Sequence, residues 1–143
     1  MARLFSPEPA AIDLHEFVAE KIRAAAQRGR VRDLYDLYAF STRPFDRDLV
    51  RRLAIMKCWE TNFPFNPQAF IGGVRGGDYD WADLRRLVKR SWELSPDKII
   101  RVVQQGYRFL LEMTAEEAQL AEDPYQRHRQ TYSALLKGLQ DEA

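Results

Sequence analysis

Apolar residues recur along almost the whole chain at spacings of three and four, and strict apolar–polar alternation over a strand's length is hard to find. Such spacing places one apolar stripe on each of a series of helices and leaves no pleated face for a sheet to bury. The expected fold class is therefore all-α. With 143 residues, 45% of them hydrophobic, the chain can enclose one core and is too short for two ordinary ones. Residues 1–143 should form a single compact domain of about seven or eight helices.

Capping residues divide the chain. Asp13 with Glu16 can form a capping box for a first helix running to about Gln27, and Gly29 is a natural stop. A second helix should span Val31–Phe40. Asp46 can cap a third, through Trp59, and Asn66-Pro67 has the cap-then-proline order that starts a short fourth. Gly72 to Gly77 is the one marked loop. Beyond it, Asp80 can cap Trp81–Leu94 and Ser95-Pro96 opens a helix to about Glu112. Thr114 with Glu117 forms a second capping box, and Asp123-Pro124 starts the last helix.

Other features narrow the function classes. The 22 basic and 21 acidic residues nearly cancel, so there is no global pull toward nucleic acid or an anionic membrane. A single cysteine, Cys58, cannot form an intramolecular disulfide and lies in an apolar run, which suits a reducing cytoplasm. The sequence offers neither an export signal nor an apolar run of membrane-spanning length.

Charge placed on an apolar stripe is more informative. In the first helix Leu14, Phe17, Val18, Ile22 and Ala25 share one face, and Lys21 and Arg28 stand within it. Cations there must extend to water along their stems or find an anionic partner. The second helix offers partners: Arg32, Asp33 and Asp36 gather away from its apolar side, and the two carboxylates repel each other across one turn. Two readings stay open. One is a structural ion-pair network between adjacent helices. The other is a site for phosphate and divalent metal, because lysine supplies a point charge for phosphate and a carboxylate a hard oxygen for magnesium.

The string Ala19-Glu20-Lys21-Ile22-Arg23-Ala24, then Arg28, then Arg32-Asp33-Leu34-Tyr35-Asp36-Leu37 resembles a signature of the AbiEii/AbiGii nucleotidyltransferase toxins. Asp48 to Leu53, Lys57-Cys58-Trp59, Trp81 to Leu87 and the tail around Asp123-Pro124-Tyr125 look like the family's C-terminal part, so the resemblance extends from about Ile12 to Leu139. It implies that Lys21 contacts the triphosphate and that Asp36 supports the metal and nucleotide site, with Arg28, Arg32 and Asp33 holding them in place. It also implies transfer of a nucleotide from a nucleoside triphosphate, in some members onto tRNA, by the toxin of a toxin–antitoxin pair. The family's Mg2+ ligands come from an upstream polymerase-beta-type domain carrying a G-S dipeptide followed by D-x-D. No such pair is read in these 143 residues. The expectation is a helical module that is inactive alone, whose partners are a nucleotidyltransferase N-terminal half, a cognate antitoxin and RNA. The rival expectation is a non-catalytic helical module that binds a protein or RNA.

Gly76-Gly77-Asp78-Tyr79-Asp80 imitates the missing motif, but no apolar strand precedes it and Asp80 has a helix to cap. Two arginine-rich groups, Arg43/Arg47/Arg51/Arg52 and Arg85/Arg86/Lys89/Arg90, could meet an RNA backbone, although solvated faces explain them as well. Tyr35, Tyr38, Trp59, Trp81, Trp92, Tyr107 and Phe109 recur at helical spacing, as core residues do. His15 and His128 stand alone, without ligand or dyad spacing.

Overall fold

Two helices joined by a two-residue link organise the N-terminal part. In a computed structural model that describes residues 9–88 and 95–142, helix α1 (Pro9–Arg28) ends where Gly29 adopts φ +62°, a conformation that costs glycine no Cβ clash. Arg30 is extended, and α2 (Val31–Phe40) turns back along α1. The described residues contain only helices and their connections: α3 (Arg47–Glu60), α4 (Pro67–Gly73), α5 (Trp81–Leu87), α6 (Pro96–Gly106), a 3-10 turn (Arg108–Leu111), α7 (Ala115–Ala121) and α8 (Arg129–Glu142). None of these helices is long and apolar enough to cross a membrane.

Five of the expected caps form. Asp46, Asn66, Asp80 and Ser95 each accept a hydrogen bond from the backbone N–H three residues on. Thr114 and Glu117 form both bonds of a capping box. Helix α1 packs on α2 and α3, α2 on α6, and α3 on α7. Their apolar faces meet in one core in which Ile22, Leu37, Ile55, Tyr107 and Leu110 are fully buried. Tyr107 donates its O–H to the carbonyl of Leu37 at 2.6 Å, tying α6 to α2, and burial pushes its phenol well above the ordinary tyrosine value.

Several boundaries differ from the sequence expectation. Helix α1 already runs from Pro9, so Asp13 is an interior position, and Glu16 pairs with Lys57 at 2.7 Å. Helix α5 ends at Leu87 because Val88 is extended; Lys89, Arg90 and Trp92 lie outside the described residues. The helix expected to reach Glu112 stops at Gly106 and tightens into the 3-10 turn. Asp123-Pro124 does not begin α8, which starts at Arg129. Asp123 instead caps a turn, accepting from the amides of Arg127 and His128 at 2.8 Å each, and Gln126 at φ +55° interrupts the helical path.

Candidate functional site

Because α2 folds back on α1, Lys21 faces the second helix where Asp33 and Asp36, one turn apart, share a side. The Lys21 ammonium lies 2.8 Å from Asp36 Oδ2 and 3.7 Å from Asp33 Oδ1, so it answers the repulsion between the two carboxylates. Arg28, at the end of α1, donates from Nε and a terminal nitrogen to the two oxygens of Asp33, at 3.0 and 3.2 Å. This hydrogen-bonded fork raises the guanidinium's already high pKa. Asp33 is the anchor, with 2% of its side chain exposed, whereas Lys21 at 23% and Asp36 at 36% reach solvent.

Lys21, Arg28, Asp33 and Asp36 are therefore assembled in one cluster. Arg32 is directed elsewhere: it makes a two-pronged contact with Asp83 on α5, at 3.0 and 3.1 Å, which holds the Asp83 carboxyl below its usual range. Asp80 caps α5, and the Tyr79 ring folds against Gly77, where a Cβ would sit 2.4 Å from it. The glycine-acidic string is thus a turn leading into a cap.

The plain sequence reading missed a second ion-pair network. Glu117 is wholly buried and accepts from Arg51 at 2.7 Å and Arg52 at 3.0 Å, and Arg51, 4% exposed, also reaches Asp48 at 2.7 Å. Arg51 was grouped with candidate RNA-contacting arginines, but it holds α3 to α7. Its position was a signal: it precedes buried Ala54 and Ile55 by three and four residues on α3. Arg47 covers the rings of Phe45 and Phe109. Trp59 donates its indole N–H to Asp123 at 2.9 Å. Of the aromatic residues expected in the core, Trp59, Tyr107 and Phe109 are buried, and Tyr35, Tyr38 and Trp81 are half-buried at its edge.

Among the described residues no group of three or more His, Cys, Asp or Glu could hold a metal ion. The α1–α2 cluster offers two partly exposed cations, Lys21 and Arg28, and one accessible carboxylate, Asp36. A cleft of about 190 Å3 lies past Gly29, lined by residues that include Arg30, Phe70 and Tyr79, and it does not include Lys21 or Asp36. The cluster lies outside that cleft.

The family model described as nucleotidyl transferase AbiEii toxin, type IV toxin–antitoxin system, matches residues 3–141. No curated protein matches the chain. The fold is similar to that of MenT4, a nucleotidyltransferase toxin from Mycobacterium tuberculosis H37Rv, with a TM-score of 0.71 and 26% identity. That similarity covers 85% of this chain and 43% of MenT4, so the chain spans less than half the length of that toxin.

Proposed function

Since the chain belongs to the AbiEii family of nucleotidyltransferase toxins, we propose that it is the helical C-terminal module of such an enzyme and contributes Lys21 and Asp36 to nucleotide transfer onto RNA, with tRNA as the expected acceptor. The observation that carries this reading is the partly exposed Lys21–Asp36 pair, held beside a buried Asp33 that Arg28 grips from the solvent side.

In the working enzyme Lys21 exchanges part of its contact with Asp36 for the triphosphate, which it binds as a point charge. Asp36 and Asp33 keep the ammonium aimed along the hairpin. Arg28 neutralises Asp33, so that the lysine is not drawn wholly into the helix interface. Among the described residues no metal-holding cluster forms, and Asp36 offers one accessible carboxylate. Mg2+ typically takes one or two carboxylates together with substrate phosphates. The remaining carboxylates belong to a polymerase-beta-type half, and the ion they hold would neutralise charge on the phosphates. An antitoxin is the natural further partner for a member of this family.

The test is nucleotide transfer from labelled NTPs to tRNA by the chain combined with a polymerase-beta-type half recovered with it from its native cells. Lys21→Ala and Asp36→Ala should each lower transfer by about a hundredfold or more, the scale for removing a group that stabilises reacting charge. Full activity in either variant would remove that residue from the site. Recovery of only unrelated proteins or RNA, with no transfer, would favour the non-catalytic interaction module.

A further inference from the structure

Phe17 belongs to the apolar stripe of α1, yet the structure leaves it 50% exposed while Val18 and Ile22 are fully buried. The ring is not simply stranded at the surface. Lys21 Nζ lies 5.4 Å from its centroid, and Phe40, at the end of α2, meets it edge to face at 5.4 Å. Arg43 lies over the Phe40 ring, 5.5 Å from its centroid. Each of the two adjoining aromatic rings therefore has a cation over it, and one of these cations is the Lys21 proposed above to meet phosphate. A protein surface covering this ridge would have to desolvate both charges, whereas a nucleotide brings its own anionic groups to them.

We infer that the Phe17–Phe40 ridge is a stacking platform for the base of the nucleoside triphosphate whose phosphates contact Lys21. This rests on the reading of Lys21 given above and adds where the base lies. Stacking on an aromatic face is tolerant of base identity, because every base presents a π surface. The platform should thus fix the nucleotide's orientation and leave base selection to other groups. Arg43 supports the Phe40 side of the ridge and adds positive charge there.

Isothermal titration of the full chain with ATP, CTP and inorganic tripolyphosphate separates base from phosphate. Both nucleotides should bind more tightly than tripolyphosphate. Phe17→Ala should weaken nucleotide binding about tenfold, within the range for losing one base–aromatic stack, and leave tripolyphosphate unchanged. Phe17→Trp should restore it. Lys21→Ala should weaken all three ligands. If tripolyphosphate binds through Lys21 as tightly as ATP and Phe17→Ala changes neither, the platform is overturned and the phosphate reading stands. Absence of any binding overturns the platform, and the transfer assay then judges Lys21 separately. Phe17→Ala that spares nucleotide binding but abolishes co-purification with the polymerase-beta-type half would instead make the ridge a subunit interface.

Discussion

Two of the ion-pair networks that join helices among the described residues, α1–α2 and α3–α7, use the same residue types for different ends. In the α3–α7 network Glu117 is wholly buried between Arg51 and Arg52. It also completes the capping box with Thr114, so both carboxylate oxygens are occupied by fixed donors. In the α1–α2 network only Asp33 is buried; Lys21 and Asp36 meet at the solvent boundary. A carboxylate enclosed by fixed donors, as Glu117 is, can only hold helices together. A network whose outer pair stays accessible can exchange a partner for a ligand.

The largest effect that distinguishes them should be on stability. Glu117→Ala strands two arginines, one of them buried, and removes a cap, and breaking a buried pair costs about 3–5 kcal/mol. Urea unfolding followed by circular dichroism should show a loss of that size. A loss below about 1 kcal/mol would mean that Glu117 is not the structural centre of that network. Asp36→Ala should cost about 1 kcal/mol or less, the range for partly exposed pairs, while abolishing transfer in the completed enzyme. If Asp36→Ala unfolds the chain as readily as Glu117→Ala, the two networks are alike and the functional assignment of the hairpin fails.

The sequence carried one network and not the other for a physical reason. Lys21, Arg28, Asp33 and Asp36 are close in the chain, so helical spacing and a glycine stop suffice to bring them together. Arg51 and Glu117 meet only after α3 and α7 pack, and neither local spacing nor capping chemistry names that partner. The same division runs through the fold. Val31–Phe40 and the caps at Asp46, Asn66, Asp80 and Thr114 were legible because each depends on a few neighbouring residues. Asp123 was misread as opening a helix because its carboxylate is shared with Trp59, distant in sequence. Phe17 had the right spacing for burial, but spacing does not say how far a stripe extends before packing ends.

Acid tests a third buried carboxylate, Asp123, which ties Trp59 of α3 to the turn before α8. Burial of Asp123 would raise its pKa, but the Trp59 indole and the amides of His128 and Arg127 outweigh this and hold it below the ordinary value. A carboxyl whose folded pKa is depressed contributes stability that is fully present above its unfolded pKa, about 4, and is lost as pH falls through the folded value. Melting temperature should therefore decline below about pH 4, and Trp59→Phe should make that decline shallower by removing one donor to the ionised form. An equally steep decline in the variant would show that Asp123 does not depend on Trp59.

The smallest effect decides whether Arg32 belongs to the functional cluster. It stands on α2 beside Asp33, and the family resemblance implies a supporting role. Its guanidinium instead pairs with Asp83, and Arg32, with 58% of its side chain exposed, adds little to the fold. Arg32→Ala should leave the melting temperature unchanged at physiological salt, where exposed pairs are screened, and transfer should stay near wild type. Arg28→Ala should lower transfer, because Asp33 would then compete with Asp36 for Lys21. A drop in transfer for Arg32→Ala as large as for Arg28→Ala would mean that Arg32 leaves Asp83 when the enzyme works, and that the hairpin rearranges around its nucleotide.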